Sequence, residues 1–180
     1  MDIGKLRTFL GEESLIRHED YLNTERSRHS IREKCFPKIK DCTYSQIYSM
    51  RGLSAGDRSE ILDGLSSILF HELYFSSFTD EPRPSETVRN FYGSEDKFLY
   101  EAWLYGREHS DGFLYVFCDR RGVPRIAHTS EGRMPFLRVE PLLAIDLCEH
   151  AYFLDYGFQR SEYLRRALGF LNIASLDAKS

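Results

Sequence analysis

A carboxylate and an imidazole lie four residues apart at the end of an apolar stretch. Residues 141–147 read Pro-Leu-Leu-Ala-Ile-Asp-Leu, a short apolar run that is typical of a buried strand. An unpaired buried carboxylate is costly, so Asp146 needs a cation where that strand ends. His150 follows closely enough to bind the same cation. The pair therefore predicts a metal site with Asp146 and His150 among its ligands.

A third candidate ligand lies in a predicted helix over residues 56–78. His71 falls in the middle of an apolar stripe spaced three and four residues apart, which places the stripe on one helix face. A single histidine on such a face is more often a hydrogen-bonded core residue than a ligand. The spacing alone leaves both interpretations open. The stripe consists of Ile61, Gly64, Ile68, His71, Phe75 and Phe78.

The residues around the first pair resemble a known metal-binding signature. Residues 146–153, Asp-Leu-Cys-Glu-His-Ala-Tyr-Phe, are similar to the Asp-x-Trp-Glu-His-Ala-Tyr-Tyr sequence of iron/manganese superoxide dismutases. The resemblance implies that Asp146 and His150 bind one iron or manganese ion per chain. It also implies that Glu149 reaches the metal-ligand histidine of a second subunit in a homodimer. Cys148 stands where the family has tryptophan.

The predicted helix around His71 resembles the same family. Residues 70–78, Phe-His-Glu-Leu-Tyr-Phe-Ser-Ser-Phe, are similar to the Asn-His-x-x-Tyr/Phe-Trp helix whose histidine is a metal ligand. The resemblance implies that His71 is a ligand, and that the chain acts on superoxide or another small oxygen species.

The remaining ligand is expected from a helix predicted over residues 14–33 with Ser14 as its N-cap. This segment resembles the His-His-x-x-x-His-His-x-x-Tyr-Val-Asn-Asn helix of the dismutases in two registers. Aligning Tyr21 with the family tyrosine places Glu13 at the ligand position, whereas aligning the helix starts places His18 there. We expect His18, because imidazole is the usual donor, with Tyr21 close to the metal or at the dimer bridge. In that register the gateway histidine and tyrosine positions hold Leu22 and Arg26.

Several positions that surround the metal in the family hold other residues here. Metal binding and dismutation are therefore separate predictions, and two alternatives stay open. One is a noncatalytic interaction module with the dismutase fold. The other is a two-histidine-one-carboxylate iron oxygenase, which would apply if Glu13 or nothing replaced the first ligand. The departures are Ser67 and the segment 131–135, where the family has glutamine, Phe113 and Tyr115 for tryptophan, Phe153 for tyrosine and Gln159 for arginine. We consider His128 as a replacement for the glutamine, although a packing role is more common for such a residue.

The order of elements predicts an α+β fold. An N-terminal helical hairpin domain is expected over residues 1–80, and a C-terminal α/β domain over residues 91–180. The proline-containing stretch between them is typical of a linker. Strands near residues 112–118, 123–129 and 141–145 predict a small three-stranded antiparallel sheet.

The composition limits the kinds of partner. The 180 residues carry a net charge of −4, so nucleic acid is not an expected partner, and 42% hydrophobic residues support a packed core. No apolar stretch reaches the length of a membrane span. Four scattered cysteines form no Cys-x-x-Cys motif, and the N-terminus shows no signal-peptide core, so we expect a cytoplasmic protein with free thiols.

Overall fold

The computed structural model describes residues 3–130 and 139–179. Within these residues the α-helices are α1 (Glu12–Cys35), α2 (Tyr44–Ser49), α3 (Ala55–Ser76), α4 (Glu86–Tyr92), α5 (Glu95–Arg107), α6 (Glu149–Tyr156) and α7 (Arg160–Gly169). The strands are β1 (Phe113–Cys118), β2 (Pro124–Thr129) and β3 (Leu143–Asp146). Short 3-10 helices cover Ile3–Thr8, Pro37–Ile39 and Ile173–Lys179. The predicted α+β class is confirmed.

The two long helices α1 and α3 pack against each other, and the apolar stripe predicted for α3 is buried. Gly64 leaves room for the end of the Arg32 side chain of α1, because a Cβ at this position would lie 2.5 Å from Arg32 Nη1. The helix begins after Ser54, whose side chain accepts a hydrogen bond from the backbone N–H of Asp57. It ends at Ser76, so Phe78 lies beyond it.

Helix α1 begins earlier than the sequence predicted. Its N-cap is Gly11, and Ser14 lies buried inside the first turn, so the expected cap at Ser14 is wrong. The Gly11 backbone N–H donates to Asp155 Oδ2 at 2.8 Å, a contact between residues 144 positions apart. Helix α6 therefore fixes where α1 begins, and the local sequence does not.

The three strands form one antiparallel sheet in the order β2-β1-β3. Every residue of β3 is buried, and its last residue, Asp146, is the register partner of Phe113 on β1. The carboxylate of Asp146 therefore lies at the end of a buried edge strand. Helix α6 begins three residues further along the chain. Helix α4 was not predicted, because its first residues lie within the stretch interpreted as a linker.

The main core lies between α1, α3, the sheet and α7. A smaller cluster under α2 contains Ile39, Ile47, Ile61 and Leu62. In the described part of the chain, no helix is both long enough and apolar enough to cross a bilayer.

Asp177 fastens the last 3-10 helix to the start of α4. Its carboxylate accepts hydrogen bonds from Ser85 Oγ at 2.6 Å and from the Thr87 and Glu86 backbone N–H groups at 2.9 and 3.2 Å. Burial raises the pKa of Asp177, but the hydrogen bonds from Ser85 and Thr87 outweigh it, and the net shift is downward. The carboxylate is therefore ionised at neutral pH, where it can accept all three bonds.

Asp177→Ala is expected to lower the free energy of unfolding by about 1–2 kcal/mol at pH 7, the usual cost of losing a helix cap. The effect should shrink as the pH falls through the pKa of the folded-state carboxyl, because the protonated group no longer stabilises the fold in this way. Urea unfolding at pH 7 and at acidic pH measures both. Asp80→Ala, which removes an exposed carboxylate near α4, is the control and should change stability little.

Candidate metal centre

Four side chains that are far apart in the sequence converge on one point. Asp146 Oδ2 lies 3.0 Å from His150 Nε2, 3.1 Å from His18 Nε2 and 3.5 Å from His71 Nε2. The two Nε2 atoms of His71 and His150 are 3.4 Å apart. All four donor atoms lie within 4.8 Å of one another. The structure therefore brings together three imidazoles and one carboxylate, each presenting one atom to the same small volume.

Four separate elements position these donors. His18 is in the second turn of α1, His71 is in the last third of α3, Asp146 ends β3 and His150 is the second residue of α6. Because β3 leads directly into α6, the Asp-x-x-x-His spacing places a strand end and a helix start beside the same point.

Neighbouring groups orient the carboxylate of Asp146. The Cys148 backbone N–H donates to Oδ1 at 2.8 Å, which leaves Oδ2 facing the imidazoles. The Tyr163 hydroxyl donates to the Asp146 backbone carbonyl at 2.8 Å and fixes the end of β3. Burial raises the pKa of Asp146, but His150 and His18 outweigh it and hold the pKa well below its usual range. Asp146 is thus an ionised donor with a fixed direction.

The tautomer of His71 is set by its own helix. His71 Nδ1 lies 2.7 Å from the Ser67 carbonyl oxygen, an acceptor that places the proton on Nδ1 and leaves the Nε2 lone pair facing Asp146. Burial lowers the pKa of His71 to about 4, and burial also lowers the pKa of His18. Both rings are therefore neutral at pH 7, which is the form that binds a metal.

The donor atoms fit a metal ion better than they fit one another. Among the described residues, neither His18 Nε2 nor Asp146 Oδ2 makes a well-aligned hydrogen bond, although both atoms are buried and lie 3.1 Å apart. Buried polar atoms without partners are rare in native proteins and need an explanation. Two ligands at about 2.1 Å from one ion, in neighbouring coordination positions, lie roughly 3 Å apart, as these atoms do. A cation at the centre would satisfy both atoms.

The structure also shows where the other candidate site residues from the sequence lie. The Glu13 side chain is 70% exposed and pairs with Arg17 at 2.8 Å, so it does not reach the centre. The Tyr21 ring lies beside His150 and His71. Glu149 is exposed at the first position of α6, as a contact with a second subunit would require.

Two further candidates lie away from the four donors or outside the described residues. The described contacts of His128 are with Asp111 and with the stacked ring of His109. The segment 131–135, expected to lack the family glutamine, lies outside the residues that the structure describes.

Comparison with known proteins identifies the family. Residues 81–179 match the family model for the C-terminal domain of iron/manganese superoxide dismutases, which is more than half of the chain. The chain belongs to the iron/manganese superoxide dismutase family. The cluster described above joins Asp146 and His150, from this C-terminal part, to two histidines from the N-terminal helices.

Curated relatives agree with this membership at low identity. The chain is 28% identical over 119 residues to the superoxide dismutase [Fe] of Bacteroides fragilis, covering 59% of this chain and 60% of the relative. It is 24% identical over 131 residues to the superoxide dismutase [Fe] of Cupriavidus metallidurans, covering 69% and 64%. A superoxide dismutase [Mn/Fe] of Porphyromonas gingivalis is 27% identical over 113 residues, covering 58% and 59%. The matches thus span less than two thirds of each of these three relatives.

Family and chemistry together indicate the metal. One matching relative is named as an iron enzyme and another as a manganese/iron enzyme. A cluster of three imidazoles and one carboxylate suits either metal. The cofactor prediction of iron or manganese is confirmed at this level.

Proposed function

We propose that this chain is a superoxide dismutase with one iron or manganese ion per chain, bound by His18, His71, Asp146 and His150. Two superoxide ions and two protons would give one molecule of oxygen and one of hydrogen peroxide. The observation that carries the proposal is the convergence of four donor atoms, three of them on fully buried side chains, in a chain of the dismutase family.

The residues of the chain have distinct tasks in this proposal. When bound, iron or manganese supplies a centre that accepts one electron from superoxide and returns it to a second superoxide. His18 and His71 stay neutral, since burial lowers the pKa of each. Asp146 contributes one negative charge, and the Cys148 N–H keeps its other oxygen occupied. The Ser67 carbonyl holds His71 in the tautomer that binds metal.

The position of His18 argues against the oxygenase alternative. A two-histidine-one-carboxylate site needs open positions where a third imidazole would bind. Here His18 Nε2 lies 3.1 Å from Asp146 Oδ2, on the same centre as the other two rings. The noncatalytic module remains the competing hypothesis, because residues such as Cys148, Phe153 and Gln159 differ from the family pattern.

His18→Ala is expected to lower the iron and manganese content well below that of Glu13→Ala, because it removes one of the four donors and leaves the weaker set of two histidines and one carboxylate. Glu13→Ala is the matched control on the same helix and should retain metal, since its side chain faces solvent. Elemental analysis of both purified variants decides the helix register. Metal loss in the Glu13 variant alone would reverse our assignment.

We also propose that the chain forms a two-fold homodimer through the start of α6, with Glu149 of each subunit contacting His150 of the other. Support comes from exposed apolar side chains on and after the same helix, Phe153, Leu154 and Phe158. Sedimentation at micromolar concentration is expected to show a dimer that Glu149→Gln weakens. A monomeric wild-type protein would contradict this proposal.

A cytoplasmic, antioxidant role is part of the same proposal. The four cysteines are free thiols in the structure, which suits a reducing compartment. Fractionation of the source cells with an antibody against the protein would test it.

The activity is tested by assaying metal content and superoxide removal on the same preparation. We expect one peroxide for every two superoxide ions, with His128→Ala matching the wild type in metal content and turnover. Metal retention without superoxide removal would favour the noncatalytic module. Oxygen uptake that depends on an organic reductant would favour the oxygenase.

A further inference from the structure

The four donors differ in exposure. The side chains of His18, His71 and Asp146 are 0% exposed, whereas that of His150 is 29% exposed. Among the proposed ligands, His150 is therefore the one that solvent can reach. A residue that packs on the His150 ring would help to fix its orientation and would narrow access to the centre.

Tyr21 is placed to do this. Its ring stacks on that of His150, with centroids 4.5 Å apart and planes 18° from parallel. The same ring lies 5.1 Å from that of His71. Tyr21 follows His18 by three residues, so both project from one face of α1. One aromatic side chain thus contacts two of the proposed ligands and shares a helix with the third imidazole.

The neighbouring positions of α1 do not take this role. Leu22 is fully buried in the main core, and Arg26 forms an ion pair with Glu72 at 2.8 Å. These are the positions at which the dismutase resemblance places a gateway histidine and tyrosine. In this chain the aromatic cover comes from a different position on the helix.

Tyr21 also borders the outside of the molecule. It lines a surface groove of about 320 Å³ between α1 and α3, together with Gly64 and Ser67. Ser67 contacts His71 through its backbone carbonyl, so two of the residues that line the groove, Tyr21 and Ser67, also contact proposed ligands. Tyr21 therefore borders both this groove and His150.

From these contacts we propose that Tyr21 is a positioning residue for His150. Its ring, rather than its hydroxyl, holds the imidazole on the metal, slows metal release and limits access of external anions. Stacking restrains the rotation of the His150 ring, and it does so from a helix that is separate from α6. The proposal rests on metal binding by the proposed site and does not depend on turnover.

The test is metal release from iron-loaded protein into excess chelator, followed by absorbance. Tyr21→Ala should release iron about five- to tenfold faster than the wild type, in proportion to the stacking that is lost. Tyr21→Phe keeps the ring and should release iron within about twofold of the wild-type rate. Tyr48→Ala removes a tyrosine exposed on α2 and is the control for truncation alone.

A second readout is azide binding, measured by the visible spectrum of the iron-loaded protein. Removing the ring should tighten azide binding or speed its association severalfold, whereas Tyr21→Phe should not. If Tyr21→Ala does not fold, Tyr21→Leu keeps apolar volume without the stacked plane and should show the same acceleration. Wild-type release rates in the variants lacking the ring, or equal rates in the alanine and phenylalanine variants, would overturn the proposal. A wild-type protein that holds iron yet does not remove superoxide would overturn the dismutase proposal alone.

Discussion

Asp146→Asn is expected to leave a folded protein with less than a tenth of an iron or manganese ion per chain. Asparagine has nearly the same shape, and its side-chain oxygen can still accept the Cys148 N–H bond that orients Asp146. The substitution removes the negative charge of the one carboxylate among the four donors. Without that charge, three neutral imidazoles are left to hold a di- or trivalent ion, and affinity should fall by several orders of magnitude.

The measurement is elemental analysis after gel filtration, with circular dichroism to confirm the fold. Asp155→Asn is the matched control, because Asp155 is also a carboxylate beside α1 but binds the Gly11 backbone N–H instead of the centre. That variant should retain a full complement of metal while losing some stability. Equal metal content in the two variants would show that Asp146 is not a ligand.

The second large expected effect is a loss of folding stability at acidic pH. In the metal-free protein, burial lowers the pKa of His71 from 6.5 to about 4. The unfolded chain therefore binds this proton first, so stability rises with pH between about 4 and 6.5 and is lost as the pH falls through that range. At about 1.4 kcal/mol for each pH unit, this one residue accounts for roughly 3 kcal/mol of unfolding free energy.

Chemical unfolding of metal-free protein between pH 4 and 7.5 measures this slope. His71→Gln should reduce the slope over this range without abolishing it, because the replaced side chain does not titrate whereas His18, whose pKa burial also lowers, still does. His128→Ala should leave the slope in place. A wild-type stability that stays constant from pH 7 to pH 4.5 would contradict the buried, neutral state of His71.

The sequence predicted the parts of the site that depend on local order. Asp146 and His150 are separated by the turn between a buried strand and the helix after it, so four residues of spacing were enough to place them together. His71 was predicted as a ligand from the resemblance of its helix to the dismutases, because its position on an apolar helix face alone left a core role open. The α+β class and the three strands followed from residue patterns of the same local kind.

Other features depend on contacts across the fold. The choice between His18 and Glu13 required the start of α1, which is fixed by Asp155 on α6 and not by Ser14. The stacking of Tyr21 on His150 depends on how α1 and α6 pack against each other. The sequence of neither helix indicates that packing. The division of the chain into domains at residues 80 and 91 stays a prediction.

The content of iron plus manganese in the purified wild-type chain tests the central claim most directly. The protein should be grown with both metals, passed through a chelating resin and analysed by mass spectrometry of the elements. We predict about one ion of iron or manganese per chain, held by donors from α1, α3, β3 and α6. A folded protein that carries less than a tenth of an ion under these conditions would contradict the account.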